Sequence, residues 1–127
     1  MLNHLRQHIA ATLEQTCSAT LATSGPAGLQ AHVVPCAANG ILLYLLLPGT
    51  SDHLLNLEHD PTVVVTTAAW QVYGRGRVLP STEQCPAALR LLQAPEAPWS
   101  VVVEVQPTRV AIAQCEGWGT AETIDLE

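Results

Sequence analysis

The spacing of apolar residues along the chain changes several times, and each change marks an element. Leu2, Leu5, Ile9 and Leu13 recur at helical spacing, so residues 3–15 read as an amphipathic helix that Asn3 can cap. From Cys17 the period shortens. CSATLAT (17–23), LQAHVVP (29–35) and ILLYLLL (41–47) read as strands, separated by SGPAG (24–28) and AANG (37–40). Pro26 presets the backbone angle of the first turn, and Gly28 is free to take positive φ. Asn39-Gly40 is a hairpin signal. Three strands on two tight turns make an antiparallel meander.

Pro48-Gly49 breaks the third strand, and Thr50 or Ser51 can cap a short helix after it. Leu54, Leu55 and Leu57 give that helix an apolar side, and Pro61 prevents its continuation. TVVVTTA (62–68) reads as a strand. So does QVYGRGRVL (71–79), whose Gly74 and Gly76 suggest a bend or a close backbone approach. STEQ (81–84) fits a capping box through Ser81 and Gln84. Ala87, Ala88, Leu91 and Leu92 carry that helix to about Gln93, where APEAP (94–98) stops it. WSVVVEV (99–105) and RVAIAQC (109–115) read as two strands around Pro107, and GWGTAETIDLE as an irregular arm with a final short strand. Six or seven antiparallel strands with three short helices place the chain in the mainly β class, as a closed or nearly closed barrel. With no linker or repeat, residues 1–127 read as a single domain with an N-terminal helix over 1–15.

Composition narrows the function. Hydrophobic residues make up 48% and charged residues 13%, so an oligomer would bury surface that a monomer exposes. The longest apolar run, Ile41 to Leu47, has strand length and falls short of the ~18 residues of a membrane span. The N-terminus carries no signal-peptide pattern, which points to the cytoplasm. All five basic residues are arginines (Arg6, Arg75, Arg77, Arg90, Arg109), against eleven acidic ones, for a net charge of −6. Such a chain repels nucleic acid and anionic lipid. Cys17, Cys36, Cys85 and Cys115 are widely spaced, which excludes a zinc-ligand set and reads as reduced, buried thiols. His4 and His8 have metal-compatible i, i+4 spacing, but no third ligand accompanies them.

Four stretches, in order, resemble the pyridoxamine 5′-phosphate oxidase-like family of FMN-binding split barrels. They are ATLATSGPAGLQAHVVPC, GTSDHLLNLEHDPTVVV, VYGRGRVL and WGTAETIDL. The resemblance runs from about Ala19 to the C-terminus. It implies an antiparallel six-stranded split β-barrel with short helices. It also implies a homodimer with FMN in clefts at the subunit interface, the phosphate near the short helix and the ring against strands.

The residues carry that implication unevenly. Gly49 permits close backbone approach, and Thr50 and Ser51 offer hydroxyls and amides at a helix N-terminus. Where family members commonly have a basic pair, this chain has Asp52 and His53. His53 takes positive charge only when protonated. Arg75 and Arg77 alternate on one strand face with Gln71 and Tyr73, where they can assist the phosphate. Gln71 and His32 are candidates for ring contacts. Trp70, Trp99 and Trp118 could stack on a ring or fill core. The apolar YLLLPG implies a greasier cleft than the family's. Two readings follow. One is a flavin-dependent oxidoreductase of unread substrate; pyridoxamine phosphate itself is disfavoured because a second phosphate needs further cations. The other is a non-enzymatic split-barrel dimer that has lost flavin, or binds a neutral apolar small molecule in the cleft.

Overall fold

The computed structural model describes residues 2–80, 86–92, 99–114 and 117–125. Three helices and seven strands follow one another as α1 (Leu2–Glu14), β1 (Ser18–Thr23), β2 (Gln30–Asn39), β3 (Leu42–Pro48), α2 (Asp52–His59), β4 (Thr62–Thr66), β5 (Trp70–Val78), α3 (Pro86–Leu92), β6 (Ser100–Gln114) and β7 (Gly117–Asp125). All pairings are antiparallel, in the order β3-β2-β1-β4-β5-β6-β7. β3 also pairs with β6, Leu45 opposite Val103. That pairing closes six strands into a barrel and leaves β7 as an annex on β6.

Alternation fills the barrel. Leu21, Val34, Leu43, Leu45, Val65, Val72 and Val103 point inward and are buried. α1 adds Ile9 and Leu13 to this core and binds the β2–β3 turn, whose Gly40 N–H donates to Glu14 Oε1 at 3.0 Å. α2 contributes Leu57 at the other end of β1 and β2. α3 packs Ala87, Ala88 and Leu91 over Tyr44, Leu46 and Val102 on the outer face of β3 and β6. The apolar third strand is therefore buried on both sides and does not line an open cleft, contrary to the expectation from YLLLPG.

Several boundaries differ from the sequence reading for local physical reasons. The hairpin after β2 turns on Gly40-Ile41, because Asn39 still pairs with Leu42. Gly40 alone takes the positive φ (64°), the glycine-first pattern of a two-residue loop. Asn3 lies inside α1, which begins at Leu2. The two strands expected around Pro107 are one strand, β6. Pro107 sits opposite Gly74, at a register shift between Tyr73 and Gly74, where the ladder does not need its missing N–H. The tail expected as an irregular arm is strand β7, which satisfies its backbone along β6. Ser81, Gln84, Cys85, the 94–98 stop and Cys115 lie outside the described residues, as do the side chains of His4 and Trp118. Cys36 is buried and its thiol is pushed up to about 12 by burial and by Cys17, whereas Cys17 is exposed, against expectation. No described helix is long and apolar enough to cross a membrane.

Candidate functional site

α2 begins at Ser51, whose hydroxyl oxygen accepts the His53 N–H at 3.2 Å. From this cap, positions 53, 56 and 57 fall on one helix face and turn into the barrel mouth. His53 is 1% exposed and Asn56 fully buried. Neither can be left unpaired there.

Thr23 ends β1 with its side chain inward, two residues on from Leu21. His32 shares its strand face with Val34 and Cys36 but sits at the exposed start of β2. These positions bring four polar side chains together. Asn56 Nδ2 donates to Thr23 Oγ1 (3.1 Å) and to the Gly28 carbonyl (2.9 Å), while its Oδ1 accepts the Ala27 N–H (2.9 Å). The two backbone contacts fix which way the amide faces. Thr23 Oγ1 lies 2.7 Å from His53 Nδ1, and His53 Nε2 lies 2.9 Å from His32 Nδ1. The two rings meet edge to face, at 87°.

Donor counting gives this chain a direction. Thr23 accepts from Asn56, and among the described residues the one acceptor within reach of its buried hydroxyl proton is His53 Nδ1. His53 then carries its proton on Nε2 and donates to His32 Nδ1. His32 in turn carries its proton on Nε2, free of this chain. Burial, with the neighbouring His32 ring, lowers the His53 pKa; Asp52 opposes the shift. His53 is therefore a neutral ring near pH 7.

No family model matches the chain, and no curated protein does. Solved structures match over nearly its whole length. General stress protein 26 from Bacillus anthracis superposes with a TM-score of 0.68 at 18% identity, over 97% of this chain and 99% of its own. A Clostridium acetobutylicum protein related to general stress protein 26, of the pyridoxinephosphate oxidase family, reaches 0.69 at 8% identity, over 97% and 95%. The fold is that of the pyridoxamine 5′-phosphate oxidase-like split barrels. A haem-binding protein from Mycobacterium smegmatis shares it too, with a TM-score of 0.69 at 19% identity, over 94% of this chain and 56% of its own. The split barrel thus leaves the ligand to be argued from the site.

Placed on the split barrel, the candidate residues divide. His32, Ser51 and His53 converge at the mouth. His53, expected to face a phosphate directly, instead turns inward, because its ring is the middle link between Thr23 and His32. The Gly49 N–H donates to the Trp99 carbonyl at 2.9 Å, so the close approach Gly49 permits is made to backbone. Thr50 is exposed beside it. Gln71, Arg75 and Arg77 share the outer face of β5 with Tyr73, as their alternation predicts. The Tyr73 hydroxyl donates to Gln71 Oε1 at 3.3 Å, and Arg77 pairs with Glu104 at 3.2 Å. Trp70 is core, its indole N–H donating to Thr16 Oγ1, whereas Trp99 is exposed. No group of three or more potential metal ligands occurs among the described residues.

Thr23 and Asn56 were missed as site residues. Asn is a poor helix former, and Asn56 stands three residues after His53 inside a short apolar helix. That spacing was the available signal.

Proposed function

We propose that this protein is an FMN-binding split-barrel homodimer of oxidoreductase type, with the flavin phosphate at the His32–His53 mouth. The observation that supports this most is the convergence of His32, Ser51 and His53. They come from a strand and a helix cap distant in sequence, yet meet at one barrel end. A phosphate monoester needs N–H or O–H donors and positive charge. Two imidazoles beside a hydroxyl supply the donors, and on protonation they supply the charge. Thr50 can add a second hydroxyl. When bound, the flavin supplies the electron transfer, and the chain's residues bind and orient it.

A dimer would meet on the uncovered outer face of β2, β1, β4 and β5. Register aligns Ala31, Ala22, Val64 and Tyr73 in one row, and Val33, Thr20, Thr66 and Gln71 in the next. Neither row contains a charge. Val33 is 72% exposed and Leu29, just before β2, 87%, on the part of this face that lies beyond Ala37, where α3 packs. His32 is on the opposite side of β2 from Ala31 and Val33 but stands at the strand's exposed start, so the mouth opens at the edge of this face. A ring held there would meet Gln71 and Tyr73, with Arg75 at the margin.

The second reading is a split-barrel dimer without flavin that takes a neutral small molecule. It is favoured by Asp52 in the first turn of α2 and by the Gly49 N–H already spent on Trp99. Titrating FMN and riboflavin by quenching of flavin fluorescence separates the two. The flavoprotein reading expects FMN to bind at least ~10-fold tighter than riboflavin, the worth of one charged hydrogen bond. It expects His32→Ala to erase the difference. Equal affinities, or binding of neither, would overturn it.

A further inference from the structure

We propose that a phosphate-bearing ligand binds the barrel mouth by opening the His32–His53 hydrogen bond and taking up a proton, so that the site fills as pH falls. The proposal rests on the reading above for placing the phosphate at this mouth, and adds the device that governs it.

The geometry supplies the reason. Each neutral ring carries one N–H. His53 spends its own on His32, and His32 points its own away from the pair. A neutral pair therefore offers an anion one ring donor and no charge. Once the bond between them opens, two neutral rings can give an anion one N–H each but no charge, and the His32 nitrogen that accepted from His53 is left able to take a proton. A phosphate dianion beside the rings favours that protonated pair, so its binding is coupled to proton uptake and affinity rises as pH drops. A guanidinium in either place would hold the anion at any pH. The groups facing the pair are few. Thr23 on β1 and Asn56 on α2 do not ionise, and β4 has no ionisable residue. The arginines of β5 stand on its outer face. On α2, Glu58 and His59 are exposed, which leaves Asp52 as the charge that favours protonated rings. Burial and the second ring oppose it.

The test is calorimetric titration of the full chain with FMN, inorganic phosphate and riboflavin at pH 8 and pH 6.5. It is run in two buffers of different ionisation enthalpy. A phosphate monoester's second pKa is near ~6, so over this range the proton uptake belongs mainly to the protein. FMN affinity should rise toward low pH by up to about tenfold per pH unit, the limit for one coupled proton. The apparent enthalpy should depend on the buffer, and riboflavin should show neither effect. His32→Arg, at an exposed position, should bind FMN with little pH dependence, and His53→Gln should lose the proton uptake. FMN affinity that is flat with pH in the unmodified chain would overturn the inference and leave the flavin reading standing. Proton-coupled binding of inorganic phosphate, with FMN binding no tighter, would support the inference and end the flavin reading. Binding of none of the three ends both.

Discussion

At the scale of single residues, Asn56 organises the site. Its amide ties the end of β1, the β1–β2 turn and α2 together through Thr23, Ala27 and Gly28. Gly25 makes room for it, since a Cβ there would lie 2.8 Å from Asn56 Oδ1. Asn56→Ala should cost about 2–3 kcal/mol, because it strips three partners from a buried site at once. Chemical denaturation would show this as a lower midpoint with an unchanged slope. It should also release Thr23 and so disorder the His53 tautomer, which the exchange behaviour of the imidazole protons by NMR would report. His53 was legible in the sequence as an irregularity, a histidine where a cation was expected. Its inward direction was not, because direction depends on Thr23, which is distant in sequence and carries no special signal of its own.

At the scale of elements, the β5–β6 ladder shows what local pattern can and cannot say. Gly74 and Gly76 mark a close approach. A Cβ at Gly74 would stand 2.5 Å from the Gln106 carbonyl oxygen and 3.1 Å from the Gln106 carbonyl carbon and Pro107 Cα, all of them backbone. Gly74→Ala should therefore destabilise the fold by at least ~1–3 kcal/mol, measured as a fall in Tm without loss of the β-sheet circular dichroism at low temperature. Pro107 looked like a strand break because proline cannot donate to a ladder. Its position opposite Gly74, at the register shift, removes that requirement, and this pairing is a long-range fact. The same reasoning explains the tail. GWGTAETID lacks strong strand patterning and becomes β7 because β6 extends beyond β3, which pairs with it only from Ser100 to Val105, and offers residues 109–114 as an edge. Helix α2, by contrast, was readable from its serine cap and closing proline, and both act as expected.

At the scale of the whole molecule, the first three-strand meander, the barrel class and the three helices followed from period and turn chemistry, whereas the pairing of β1 with β4 did not. The closure of β3 onto β6 came only with the structure. Two predictions belong here. First, the folded-state pKa of His53 is lowered, so below the unfolded value of ~6.5 the unfolded chain binds more protons than the folded one. Stability is complete above that pH and is lost as pH falls toward the folded pKa. Thermal melts from pH 7.5 to 5.5 should show a declining Tm, and His53→Gln should flatten the decline. Asp60 and Asp125, whose pKa values are lowered from the carboxylate range, act only at more acid pH. Second, Val33→Glu places a charge in the uncharged outer face and should convert a dimer to a monomer of unchanged secondary structure.

The central claim is that one split-barrel dimer holds a flavin phosphate between subunits at the two-histidine mouth. Sedimentation equilibrium at pH 6.5 with added FMN, followed both in the protein band and in the flavin's visible band, addresses it most directly. The account predicts that the two signals distribute together, at twice the 13.5 kDa mass of one chain, and that His32→Ala releases the visible signal to the mass of free FMN. Visible absorbance that never sediments with the protein, or protein at the mass of one chain, would contradict it.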